Sequence, residues 1–447
     1  MNDRAGASPV RTAFLAVTTL FFAWGFITSL IDPLVAAVKG IFTLTNLQAQ
    51  LSASAFFIAY GLVSFPAAGL IARLHAARAI LLALTMMIGG CMVMLVAANL
   101  AVYLLVLLGL FVLASGITVL QVAANPLAAN LGSPAGSHFR LTLSQTFNSF
   151  GTFIGPFIGA VLFLEGVEVA DGAAINPEAR DAALAGIDRA YFWICGLLIL
   201  LLLFFFVSRK TVSRAAPPAP SAGGTVAMMR DALSSRWALL GGAAIFLYVG
   251  AEVAIGTQLA LFLNSGEIWG NSDAAFAVPF LGTAMGSDGI PGVSLQEAGK
   301  AVSFYWGGAM VGRAIGSALL ARFRAARLLI AFTAIAALMC LYVVLIGGVG
   351  AGFVALSIGL FNSIMFPVIF TLTLERSTAS AEATSGLLCT AIIGGAFVPP
   401  LAGAIADSAG LAVAFLAPAT CYVVLCVFAF AAGRSDVSSK VEARSAH

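Results

Sequence analysis

The chain has 447 residues, of which 61% are hydrophobic and 9% charged, with a formal net charge of +3 and a mean hydropathy of +1.04. Soluble domains are about 45–50% apolar and about 25% charged, so too little charge is present to clothe a water-soluble surface of this size. A soluble enzyme, a nucleic-acid binder and a disordered scaffold are excluded, and a polytopic membrane protein remains.

A helix needs about 20 apolar residues to cross a hydrocarbon core of ~30 Å. Twelve segments qualify, near 12–38, 49–72, 79–98, 101–130, 141–164, 190–208, 237–264, 295–321, 328–346, 351–374, 383–406 and 409–432. The first is too long for a cleavable signal peptide and continues into a full span. Residues 209–236 are polar and contain Pro217, Pro218, Pro220, Gly223 and Gly224, the composition of a linker. The expected organisation is a six-helix half (1–208), a cytoplasmic linker (209–236) and a second six-helix half with a short cytoplasmic tail (237–447). The six cysteines, Cys91, Cys195, Cys340, Cys389, Cys421 and Cys426, fall in apolar runs without metal-ligand spacing, so no metal is expected.

Twelve spans place both termini and the linker on one side. Alternating the loops gives that side 17 of the 22 Lys and Arg, leaves Lys39, Arg180, Arg189 and Lys300 opposite, and puts Arg313 inside a span. Acidic residues favour the opposite side, in the 5–6 loop at Glu165, Glu168, Asp171, Glu178, Asp181 and Asp188. Cytoplasmic loops accumulate Lys and Arg, so both termini are expected in the cytoplasm and the protein in the cytoplasmic (inner) membrane, as a multi-pass chain.

The halves repeat each other. Residues 72–78, ARLHAAR, and 321–327, ARFRAAR, follow the second and eighth spans at an offset of 249 residues. Pro156 and Gly159 match Pro400 and Gly403 at an offset of 244. Two parallel six-helix halves with a basic loop after the second helix of each are the layout of a major facilitator transporter, whose halves rock about a midplane site. Arg73, Arg78, Arg322 and Arg327 are the candidate gating residues of these loops. Arg313, toward the cytoplasmic end of the eighth span, is either a gate partner or a snorkelling side chain.

Ionisable residues are costly in hydrocarbon and mark functional sites by default. Two carboxylates lie well inside spans: Asp32, beside Pro33 in the first, and Glu252, near the middle of the seventh. A carboxyl withdrawn from water resists ionisation and can carry a proton from one side to the other, so both are candidates for proton coupling; a permanent hydrogen bond to a neighbouring helix is the structural alternative. Gln121 and Asn125 share one face of the fourth span, and Gln145 and Asn148 one face of the fifth. Amides both donate and accept, as binding the hydroxyls of a neutral polyol requires, although helix–helix hydrogen bonds use them too. Gln258, Asn264 and Asn362 are the thinner polar complement of the second half. Trp24 and Trp306 lie inside spans, where stacking on a sugar and core packing are both open, whereas Trp193 and Trp237 lie at span ends, in the interfacial belt. Glycines at 151, 155 and 159 and at 308, 312 and 316 read as sliding or packing surfaces. The histidines, His75, His138 and His447, fall in loops or tail and make no proton relay. No HExxH, GxSxG or P-loop pattern occurs, so no intramembrane protease, hydrolase or ATPase is expected.

At several of these places the chain resembles the fucose–galactose–glucose:proton symporter family of the major facilitator superfamily, particularly its glucose/galactose branch. The resemblance rests on FFAWG at 21–25 leading to Asp32, QVAANP at 121–126, HFRL at 138–141 through QTFNSFG at 145–151, YVGAE at 248–252, YWGGAM at 305–310 and FNSI at 361–364. It implies an all-α membrane protein of twelve transmembrane helices in two pseudo-symmetric halves, not an enzyme, importing a monosaccharide with a proton by alternating access. It also implies proton coupling at Asp32 and a sugar cavity lined by Gln145 and Asn148. Fucose-transporting members carry a glutamate where this chain has Gln121, which points to an aldohexose and places more of the coupling on Asp32, together with Glu252. Gln121, Asn125, Gln145, Asn148, Trp24, Gln258, Asn362 and Trp306 complete the expected sugar site.

The partners expected are a monosaccharide and the lipid bilayer, with no nucleic acid, no cofactor and a monomeric carrier. Sodium in place of the proton is the alternative coupling, since related animal proteins are sodium-dependent. A sugar-binding sensor fits less well, because the tail after Ala432 is short, and a drug-efflux antiporter would want more aromatics and fewer paired amides.

Overall fold

The structure, a computed structural model, describes residues 3–131, 137–165, 167, 177–215 and 224–435. In the first half, α1 (Asp3–Ser29) and α2 (Ile31–Ile41) together form the first span, followed by α3 (Asn46–Leu74), α4 (Ala76–Leu100), α5 (Tyr103–Asn130), α6 (Ser137–Phe163) and α7 (Pro177–Ala215). A linker helix, α8 (Thr225–Ser234), leads to α9 (Arg236–Asn264). The second half continues with the short loop helix α10 (Pro279–Met285), α11 (Leu295–Leu320) and α12 (Ala325–Leu345). Its tenth span is α13 (Gly348–Asn362) plus α14 (Met365–Arg376), its eleventh α15 (Ala381–Thr390) plus α16 (Val398–Ala409), and its last α17 (Leu416–Arg434).

Among the described residues, eleven stretches are long and apolar enough to cross a membrane. The twelfth span is α11, whose 26 residues suffice in length but are diluted by Gln296, Glu297, Lys300 and Arg313. The segment expected as linker is partly helical: α7 continues from Arg209 to Ala215, and α8 occupies much of the remainder. Pro217, Pro218, Pro220 and Gly223, the acidic Glu168 and Asp171, and His447 lie outside the described residues.

Among the described residues, three spans are broken, and proline chemistry places each break. Proline lacks an N–H and its ring crowds the carbonyl four residues earlier. α1 ends at Ser29, four residues before Pro33, and the tenth span breaks at Ser363 and Ile364, four and three residues before Pro367. The eleventh passes through a tighter stretch, Ala391–Ala396, ahead of Pro399 and Pro400.

The α3–α4 and α11–α12 corners, with Arg73, Arg78, Arg322, Arg324 and Arg327, lie with α8 on one face, the basic face. Toward the opposite face the two halves close on each other: α2 packs on α9, α3 on α16, and α6 on α11. Buried Thr257 on α9 donates its hydroxyl to Gln50 Oε1 on α3 at 2.9 Å. The two glycine runs serve contacts within each half. Gly151, Gly155 and Gly159 admit the backbone and side chains of the first span, while Gly308, Gly312 and Gly316 admit α13 and the break after it.

Candidate functional site

Between the halves lies a cavity of about 2330 Å³. Its rim is formed by residues of the basic face, among them Leu74–Arg78, Ser213, Met228, Leu320, Ser380 and Glu382, so the cavity opens there and is sealed on the opposite side. The volume exceeds the ~300–1,000 Å³ typical of a ligand pocket: it comprises a vestibule and, at its apex, a polar site.

At the apex Asp32 begins α2, just past the proline-induced break that turns this segment of the first span. The carboxyl is 2% exposed, and Oδ2 accepts a hydrogen bond from Trp306 Nε1 at 2.6 Å. That contact joins the first half to the second. The backbone of α9 also abuts the carboxyl, since a β-carbon on Gly256 would stand 3.2 Å from Asp32 Oδ1. A second bridge between the halves is Arg313, whose Nη1 donates to Ser149 Oγ on α6 at 2.5 Å and whose Nε donates to the Ser363 carbonyl at 3.3 Å.

Glu252 is also on the cavity wall, but it is held within its own half. The Tyr248 hydroxyl donates to Glu252 Oε1 at 2.6 Å, and Arg313 lies within Coulombic reach. Behind it is a buried network. Tyr422 donates to Asn362 Oδ1 at 2.8 Å, Asn362 Nδ2 donates to the Tyr305 oxygen at 2.7 Å, and Tyr305 donates to the Glu252 carbonyl at 3.1 Å.

The amides of α5 and α6 line the same cavity. Gln121 Nε2 donates to the Tyr60 oxygen at 2.9 Å, Gln145 Nε2 to Asn125 Oδ1 at 3.3 Å, and Asn148 Nδ2 to the Phe21 carbonyl at 3.1 Å. These bonds fix amides whose remaining donors and acceptors can meet a ligand. Trp24, packed on Phe21 with ring centroids 4.2 Å apart, adds an aromatic edge to the wall.

The structure thus gathers Asp32, Glu252, Gln121, Asn125, Gln145, Asn148, Trp24, Trp306 and Arg313 around one cavity, with Arg78 on its rim. It does not bring the other sequence candidates there. Gln258 is buried in a crevice among Ala254, Ile255, Ala402, Phe415 and Pro418. Asn362 is fully buried behind Glu252. Arg73, Arg322 and Arg327 are exposed on the basic face, outside the cavity lining. Sequence reasoning missed Tyr60, Tyr248, Tyr305, Tyr422 and Ser149. The signal for the tyrosines was available, since the chain has only seven and a phenol in hydrocarbon must find a hydrogen-bond partner.

Residues 13–387 match the Major Facilitator Superfamily. The chain is 40% identical over 425 residues to a glucose/galactose transporter of Brucella abortus, covering 95% of this chain and 94% of that one. It is 32% identical over 431 residues to the L-fucose-proton symporter of Escherichia coli, covering 93% and 92%. Among solved structures, a major facilitator transporter in the outward conformation, FucP, superimposes with a TM-score of 0.65 at 28% identity, covering 96% of this chain and all of that one. The chain belongs to the Major Facilitator Superfamily: it is a multi-pass membrane transporter of two six-helix halves, and not an enzyme.

Proposed function

We propose that this protein imports a neutral monosaccharide of the glucose/galactose type together with a proton, by alternating access across the cytoplasmic membrane. The reading draws on the names of its relatives and on the amides of α5 and α6, which suit the hydroxyls of an uncharged sugar. The observation that carries the coupling is the bond from Trp306 to Asp32, a membrane-embedded carboxyl at the cavity apex held by the opposite half.

On this reading the basic face is cytoplasmic, as its excess of Lys and Arg suggests, and the cavity is the release path. A proton taken up from outside neutralises Asp32. Because charge-assisted hydrogen bonds are about twice as strong as neutral ones, protonation changes the contact with Trp306 and hence the balance between the halves. Sugar and proton affinities are then linked reciprocally. Glu252, fixed by Tyr248 and near Arg313, supports the charge balance of the site.

The test is accumulation of labelled glucose and galactose by proteoliposomes under an imposed pH gradient, then under a sodium gradient at fixed pH. Accumulation driven by the pH gradient alone is expected. Accumulation that needs sodium would replace the coupling ion, and no uptake under either gradient would overturn the hexose reading.

A further inference from the structure

On the sealed side of the molecule, the last turn of α16 reaches from the second half onto the start of α3 in the first. Asp407 Oδ1 accepts from the Asn46 backbone N–H at 2.7 Å and from Asn46 Nδ2 at 2.8 Å, and Oδ2 accepts from the Leu47 N–H at 2.9 Å. α3 already has a cap of its own. Thr45 Oγ1 accepts from the Gln48 N–H, and Gln48 Oε1 accepts from the Thr45 N–H. Such a box leaves the N–H groups of the first two helical residues unfilled, and these are the two that the carboxylate from the other half takes. The helix dipole favours its negative charge there as well.

Gly403, one turn earlier on the same face of α16, makes this approach possible. A β-carbon there would lie 2.8 Å from the Asn46 carbonyl oxygen and 2.9 Å from the Leu47 Cα. Deeper in the same seam the contacts are neutral, between Ser54 Oγ and the Ala396 carbonyl at 2.7 Å and between Thr257 and Gln50 at 2.9 Å.

We propose that Asp407, seated beside Gly403, is the latch of the outer gate. It holds the halves together away from the cavity mouth while the cavity is open to the basic face, and it must release α3 each time the carrier turns outward. The proposal rests on the alternating-access reading above, with the basic face cytoplasmic. Its partners on α3 include exposed backbone N–H groups that water can solvate once the seam parts, so opening leaves no buried donor stranded. The latch is therefore reversible, and its strength depends chiefly on the one carboxylate.

The test uses the full chain in lipid nanodiscs, with its six native cysteines replaced and spin labels at Leu104→Cys and Leu345→Cys. These positions sit at the outer ends of α5 and α12, one on each half, 72% and 76% exposed and remote in sequence from the latch. Asp407→Asn keeps the size but loses the charge and one acceptor. It is expected to shift the ratio of short to long inter-label distances toward long by about tenfold, the weight of a charge-assisted hydrogen bond. Gly403→Val, which wedges the same seam and leaves the carboxylate in place, should shift it in the same direction. Asp407→Glu should shift it less than Asp407→Asn. An Asp407→Asn protein with the wild-type distance distribution would overturn the proposal. The readout needs neither sugar nor gradient: a redistributed outer rim in a protein that accumulates no hexose would sustain the latch and refute the hexose reading.

Discussion

Asp32→Asn separates coupling from binding. The substitution preserves an oxygen that can accept from Trp306 Nε1, now 2.6 Å from Asp32 Oδ2, and removes the proton carrier. The magnitude follows from counting carboxyls at the cavity apex. Asp32 is held from the opposite half, whereas Glu252 is tied to Tyr248 at 2.6 Å within its own, so one proton per sugar is expected. A potential of about 100 mV supplies about 2.3 kcal/mol per elementary charge, and at about 1.36 kcal/mol per decade this supports about 50-fold accumulation. Two coupled protons would support about 2,500-fold by the same arithmetic. The assay is the steady-state ratio of internal to external labelled hexose in proteoliposomes clamped by a potassium diffusion potential. The wild-type protein and Glu252→Gln should approach about 50-fold, whereas Asp32→Asn should equilibrate without accumulation yet still exchange labelled for unlabelled sugar. Wild-type accumulation by Asp32→Asn would refute the assignment, and a wild-type ratio near 2,500 would refute the single carrier.

Two further substitutions separate roles that share the cavity. Trp306→Phe retains an aromatic ring and deletes the donor to Asp32, a charge-assisted bond worth about 1.5–3 kcal/mol. Driven uptake should fall by about tenfold or more with sugar binding at equilibrium little changed; a loss confined to binding would mark Trp306 as a sugar platform instead. Asn362→Leu strands the hydroxyl of Tyr422 and removes the donor to the Tyr305 oxygen, which keeps its own bond to the Glu252 carbonyl; an orphaned buried hydroxyl costs about 1–3 kcal/mol. The melting temperature of the purified protein should fall, and an unchanged one would show that the network is not structural.

Much of the fold was legible because hydrocarbon imposes a length and the halves repeat a basic loop. Part of the candidate site was legible for a related reason: polar side chains inside apolar runs are few, so Asp32, Gln121, Gln145 and Asn148 stand out. What sequence could not supply was direction. Gln258 and Glu252 are six residues apart on one helix, so periodicity already puts them on different faces, but it does not say which face meets the cavity: Glu252 does, while Gln258 faces a crevice between α16 and the start of α17. Asp407 drew no notice because an acidic residue at a span end is ordinary. Its partners on α3 lie about 360 positions away in the chain.

The prolines link these levels. Each frees a carbonyl four residues back, and inside a membrane such a group must be satisfied by a neighbouring element. The carbonyl freed by Pro367 belongs to Ser363 and accepts from Arg313 Nε at 3.3 Å, which orients the guanidinium that reaches across to Ser149. The carbonyl freed by Pro400 belongs to Ala396 and accepts from Ser54 of the other half at 2.7 Å. Where α13 ends, the Asn362 carbonyl lies 3.1 Å from the Tyr248 hydroxyl, whose single proton it shares with Glu252. Residues that break helices thus supply acceptors along the surface where the halves meet. An acceptor satisfied from across that surface, such as Ala396, can be released when the halves part, whereas one satisfied within its own half, such as that of Asn362, stays with it. The distinction predicts which polar contacts exchange during transport: those of Ser54 and Asp407, on the sealed side, should break as that side opens, while the tyrosine network behind Glu252 should move as one body with the second half.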